Sequence, residues 1–271
     1  MRDPLLPLLP GPQDADRPWL ICYGIDERVE LTGHVLSMWL AKIAGFVTSE
    51  SVPGDGVHVA LPPHWRSVAW ACGTWLAGRS VLLGSNEEIR TAGLIPELSV
   101  AFTPESLYDE AEAQALVPPA SLALRWPDEL PALVLDGAAD LMHYPDRFTP
   151  VSTAADSVCL TDLTSEAAAP AAPGAPGGTA PSDGRLTVLT RAQLAARVEA
   201  ADAPTGSGRH SASRAVLVRS PDTAQMLQEV LVAWRTGRTA VVLTPEAGDD
   251  VAAAAVRQEG ITEWVGGSQS R

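Results

Sequence analysis

Two stretches of the 271-residue chain bring together residue types that could do chemistry. In the first, Val57, Val59 and Leu61 alternate as in a strand, and Pro62-Pro63-His64-Trp65 follows. Ligands of α/β sheets bind at the C-terminal ends of strands, which makes His64 a candidate site residue. A histidine that caps the following helix, or stays solvated there, accounts for the same placement. In the second, Gly177-Gly178-Thr179 sits in a run rich in Ala, Pro and Gly. Backbone N–H groups of a glycine-rich loop can cradle a phosphate. A linker without the apolar content to pack accounts for the same glycines.

The other reactive side chains form no set. Cys22, Cys72 and Cys159 are isolated and read as small core residues, with neither disulfide nor zinc spacing. His34, His58, His143 and His210 are scattered. Asp136, Asp140 and Asp146 read as solvated loop acids, and Trp39, Trp65, Trp70 and Trp75 as core aromatics on helix faces. No catalytic residue and no metal ligand is assigned. Lys42 is the chain's only lysine, so any mechanism that needs one elsewhere lacks it.

Composition narrows the classes. A net charge of −14 argues against a nucleic-acid or anionic-membrane surface. An apolar fraction of 46% permits a sizeable core, and no apolar run is long enough to span a membrane. The leucine- and proline-rich N-terminus lacks the apolar core of a signal peptide, so a cytoplasmic location is expected.

The elements that must position these residues follow from pattern. Pro18–Tyr23, the turn Gly24–Glu27 and Arg28–Leu31 predict a hairpin, with Thr32 capping a helix through Val47. Residues 57–83 predict strand, helix and strand, with Gly78 closing the helix. The stretch recurs 159 residues later: Val57, Val59, Pro62, Trp75, Gly78 and Arg79 match Val216, Val218, Pro221, Trp234, Gly237 and Arg238 without a gap. Short helices are expected at Asn86–Leu94 and Pro104–Leu116, and strands at Leu98–Phe102, Ser121–Trp126 and Val158–Leu163. Thr190 caps a helix to Ala201, and a helix at Asp249–Glu259 and a strand at Ile261–Val265 close the chain. The expected fold is α/β: two related βαβ units in largely parallel sheets flanked by helices. Residues 1–155 form the first subdomain, 156–185 a strand and flexible loop, and 186–271 the second.

This order of elements resembles the N-terminal part of the adenylate-forming superfamily of acyl-CoA synthetases, luciferases and peptide-synthetase adenylation domains. The likeness is carried by the hairpin and helix Leu20–Val47, by Pro53-Gly54-Asp55-Gly56-Val57 with Leu61-Pro62-Pro63, by Trp75-Leu76-Ala77-Gly78-Arg79-Ser80-Val81, by Leu189-Thr190-Arg191-Ala192-Gln193-Leu194, and by the second copy. The chain also resembles short actinobacterial relatives of these enzymes. The resemblance implies binding of ATP or AMP at a phosphate loop, which Pro176–Gly184 would occupy. Gly177, Thr179 and Gly184 match that loop and Gly178 lies within it, but Ser182-Asp183 stands where the family has Pro-Lys. A carboxylate beside ATP phosphates costs about 1–4 kcal/mol, depending on burial. The family's later motifs, including its C-terminal lysine, have no counterpart here.

Three functional readings follow. The chain is a truncated, non-catalytic relative, a pseudoenzyme that binds a ligand or a protein partner. Alternatively it is an adenylating component whose missing C-terminal part is a separate chain, or it is a scaffold, as a homo-oligomer or in a complex.

Overall fold

The computed structural model describes residues 3–11, 13–14, 17–164, 186–201, 214–262 and 264–265. In chain order the elements are β1 (Pro18–Tyr23), β2 (Arg28–Thr32), α1 (Gly33–Glu50), β3 (Val57–Ala60), α2 (Trp65–Leu76), β4 (Val81–Leu83), α3 (Asn86–Ala92), β5 (Leu98–Ala101), β6 (Gln114–Leu116) and β7 (Leu135–Asp136). There follow β8 (Val158–Asp162), β9 (Thr187–Thr190), α4 (Arg191–Ala201), β10 (Ala215–Val218), α5 (Thr223–Arg235), β11 (Thr239–Leu243), α6 (Asp249–Gln258) and β12 (Trp264–Val265). The local signals act as read. Thr32 accepts the Val35 N–H at the start of α1. Thr190 and Gln193 exchange side-chain bonds with each other's N–H at the start of α4.

The strands form two mixed, largely parallel sheets. The larger runs β7-β6-β5-β3-β4-β8-β9 and the smaller β12-β10-β11-β1-β2. Helices α1, α2, α4 and α5 contribute to one continuous core that both sheets share, with Trp70, Trp75 and Phe46 at 1% exposure or less. Burying an aromatic of this size contributes roughly 2–3 kcal/mol. Helix α6 covers the outer face of the smaller sheet through Ala252 and Ala255. On the larger sheet, Ile89 of α3 packs on Leu82 and Tyr108.

The duplication is wider than the matched residues. Val57 pairs with Val81, and Val216 with Ala240, in one register. Trp75 Nε1 donates to the Cys159 carbonyl and Trp234 Nε1 to the Trp19 carbonyl, both at 2.8 Å. Those acceptors sit one residue before Leu160 and Leu20, which pair with Val81 and Ala240. The hairpins β1–β2 and β8–β9 even share an irregularity, between Pro18 and Leu20 and between Val158 and Leu160. Each hairpin, however, lies in the sheet of the other copy: β1–β2 beside β11, and β8–β9 beside β4.

Three expectations are corrected. Residues 104–116 are not a helix; a single 3-10 turn at Pro104–Ser106 leads to β6, which pairs with β5. Ser121–Trp126 is not a strand; it is a loop held by Arg66. Asp136 is not solvated. It is buried and accepts the N–H groups of Trp126, Ala138 and Ala139. The three cysteines are buried, and Trp65, Trp70 and Trp75 lie in the core as expected. No described helix is long and apolar enough to cross a membrane.

Candidate functional site

The C-terminal ends of the parallel strands in both sheets border one crevice. Two adjoining cavities that share Pro62 and Pro63 occupy it. The first, about 450 Å³, lies between the β1–β2 turn (Gly24–Glu27), His64, Phe102, Ala120 and Glu246. The second, about 320 Å³, lies between the ends of β3 and β4, Thr164 and the start of α5. Thr223 Oγ1 donates to the Leu61 carbonyl and ties the two sheets together at this point.

His64 stands where β3 has ended and α2 begins. Its Nδ1 accepts the Arg66 N–H at 3.1 Å, capping α2. That bond fixes the tautomer: Nδ1 carries no proton, and Nε2–H faces Ser121 Oγ at 3.2 Å. The Ser121 hydroxyl then donates to Glu27 Oε1 at 2.7 Å, and the Ser121 N–H to Oε2 at 3.2 Å. The proton order runs from His64 through Ser121 to Glu27. A nucleophilic relay needs the imidazole between serine and acid, to accept the serine proton. Here the serine is between, its proton goes to the acid, and it is only 4% exposed. The cluster therefore positions; it does not activate a nucleophile. Burial, and secondarily the Arg66 charge, lower His64 to about 3, so it is neutral at physiological pH.

Arg66 holds the far wall. Its guanidinium donates to the carbonyls of Ala120, Ser121 and Ala123 at 3.3, 3.2 and 2.8 Å. It stacks on Trp65 with 4.5 Å to the ring centroid. Burial lowers it to about 10, which leaves it charged. The sequence reading missed Arg66, Ser121 and Glu27. The available signal was Arg66 itself, an arginine in the apolar run Trp65–Trp70 with no acid one turn on.

Of the candidate residues read from sequence, His64 lines the first cavity. Gly177, Gly178, Thr179 and Gly184 lie outside the described residues. Thr164, the last described residue before them, lines the second cavity. Among the described residues, no cluster of His, Cys, Asp and Glu could hold a metal ion. Lys42 is engaged elsewhere, with the Tyr144 carbonyl and Asp146, both at 2.7 Å. A third cavity, about 360 Å³, opens at the other end of the smaller sheet and mixes Arg17 and Arg214 with Glu30 and Glu259.

No protein-family model matches the chain. A TIGR03089 family protein of Mycobacterium tuberculosis is 27% identical over 129 residues, 46% of this chain and 51% of that protein. Among solved structures, the acyl-CoA synthetase of Brucella canis superposes with a TM-score of 0.70 at 17% identity. Apo MatB from Rhodopseudomonas palustris superposes with a TM-score of 0.69 at 10% identity. These alignments take in 96% and 95% of this chain but 49% and 48% of the respective matches. The chain thus spans about half the length of the proteins it matches. Its fold is that of the N-terminal half of adenylate-forming, acyl-CoA synthetase-type enzymes.

Proposed function

We propose that this chain binds a small organic molecule in the crevice and does not adenylate by itself. One observation carries the reading. The described walls of the two adjoining cavities bring Asp26, Glu27, Asp222 and Glu246 to the crevice, and neither a lysine nor an arginine. A polyphosphate needs N–H groups and cations facing it. These described walls face it with carboxylates. The described residues do not fit a nucleotide triphosphate. Shared fold does not carry chemistry across when the residues that perform it differ. The walls suit a ligand that is neutral or cationic where it meets Glu27 and Glu246, on an apolar floor of Pro62, Pro63 and Phe102.

Calorimetric titration with ATP and Mg²⁺, and separately with AMP, tests this. No saturable heat at millimolar nucleotide is expected. Micromolar binding would overturn the reading and return the chain to the role of an adenylating component that works with a second chain.

A further inference from the structure

The first cavity is lined by a hydroxyl that the fold leaves unused. Thr244 borders that cavity and is only 8% exposed. Side chains alternate along β11: Val242 lies in the core shared by both sheets and Leu243 on the outer face under α6. Thr244, one step on, therefore turns back to the crevice side. Its N–H donates to the Tyr23 carbonyl and its carbonyl accepts the Ala247 N–H, but its Oγ1 has no hydrogen-bond partner among the described residues. A polar group so far removed from water costs free energy until it is bonded. The duplication shows what such a hydroxyl does elsewhere. At the offset that pairs Val81 with Ala240, the counterpart of Thr244 is Ser85. Ser85 Oγ accepts the Glu88 N–H and donates to Glu88 Oε2, capping α3. In the second copy the cap position has moved on to Gly248, which makes no side-chain cap bond. Thr244 is released from that role, and its hydroxyl is left to the cavity.

The same cavity carries negative charge without a counter-ion. Asp26, Glu27 and Glu246 line it. Among the described residues, the one ion-pair contact of the three is Glu27 with His64 at 4.0 Å, and His64 is neutral. Two bonds from Ser121 hold the Glu27 carboxylate in place. Arg66, which feels the Glu27 charge, turns its donors to the carbonyls of the 120–123 loop. A neutral ligand would leave these carboxylates uncompensated, and among the described residues no cluster could hold a metal ion. The rest of the lining is largely apolar, with Ile25, Pro62, Pro63 and Phe102.

We propose that this cavity takes a primary ammonium group carried on an apolar body, with Thr244 Oγ1 and the Glu27 carboxylate accepting its N–H groups. A primary ammonium has three donors and no acceptor, which suits a fixed carboxylate beside an unpartnered hydroxyl oxygen. The proline and aromatic surface takes the carbon body. This assignment rests on the crevice being a small-molecule site and names the class of molecule.

Calorimetric titration of the full chain with phenethylamine, 2-phenylethanol and phenylacetate tests it, because the three share an aromatic body and differ in the head group. The amine is expected to bind, the alcohol to bind at least about tenfold more weakly, and the carboxylate to give no saturable heat. Glu27→Gln is expected to weaken the amine at least about tenfold and to leave the alcohol unchanged. Glu246 is exposed, so Glu246→Gln removes charge without touching the packing, and it is expected to weaken the amine in the same direction. Thr244→Val gives up no side-chain hydrogen bond among the described residues; it is expected to keep or raise the melting temperature while weakening the amine. An amine that does not bind, that binds no better than the alcohol, or that is indifferent to both glutamine variants would overturn the assignment and leave the crevice standing as a site for another class of molecule. A lower melting temperature for Thr244→Val would show that the hydroxyl serves the fold, and would overturn it too. Binding of ATP or AMP is the separate result that overturns the reading of the crevice itself.

Discussion

Burial holds His64 neutral, and this gives the site a pH dependence whose sign can be worked out. In the unfolded chain the imidazole titrates near 6.5; in the folded chain it is held at about 3. Between those values the unfolded state binds one proton more. Its contribution to stability is therefore complete above pH 6.5 and is lost as pH falls toward 3, at about 1.4 kcal/mol per pH unit. His58 shifts in the same direction, lowered by burial, with Ser99 and the Gly84 carbonyl on its two nitrogens. A single substitution separates the two. His64→Asn keeps an acceptor for the Arg66 N–H and removes the titration. Urea denaturation from pH 7 to pH 4 is expected to give the variant a flatter stability profile than the wild type. Parallel profiles would show that His64 is protonated in the folded state. At this scale the sequence disclosed only the histidine's place between strand and helix. Ser121 reaches His64 across 57 residues and Glu27 reaches Ser121 across 94, and no local pattern announces such contacts.

Elements were legible where the chain carries its own signals. The strand alternation of Val57–Leu61, the caps Thr32 and Thr190, and the glycines 78 and 237 each act within a few residues, and each element stands where those signals put it. β6 is different. It is three residues long and exists because β5 and β7 pair with it; its partners, not its own composition, make it a strand. Leu122 and Leu124 alternate as a strand would, yet both are exposed, because Arg66 binds the loop carbonyls that a neighbouring strand would need. The duplicated elements allow a paired test. Gly78 and Gly237 end α2 and α5 at φ 77 and 71, a conformation that costs any L-residue. Alanine at 237 meets nothing nearer than Arg17 at 4.0 Å, whereas alanine at 78 meets Val151 at 2.7 Å. Gly237→Ala is expected to cost about 1 kcal/mol, the backbone term alone. Gly78→Ala adds displacement of Val151, for a total of about 2–3 kcal/mol. Chemical denaturation of the two variants side by side reads the difference, and equal losses would mean that Val151 gives way freely.

At the scale of the whole molecule, the exchange of hairpins makes the two halves interdependent. A reading from sequence divides the chain after 155 and after 185, since each copy of strand, helix and strand is contiguous. The sheets cross those divisions. β1 finds its parallel partner in β11, Leu20 against Ala240, and β8–β9 completes the sheet begun by β4. The N-terminal segment adds a buried tie. Asp3, 1% exposed, pairs at 2.8 Å with Arg191, which is fully buried at the start of α4. A fragment of residues 1–155 keeps the β1–β2 hairpin but loses the sheet that receives it, and an isolated hairpin is at best marginally stable in water. It also leaves Asp3 without Arg191, and much of the shared core without α4 and α5. Neither 1–155 nor 186–271 is therefore expected to show a cooperative thermal transition alone, while the intact chain shows a single one. Calorimetry on the three polypeptides decides it. A cooperative transition in 1–155 by itself would mean that the first copy closes its own core, and that the exchanged hairpins are decoration on two independent domains instead of the joint that makes them one.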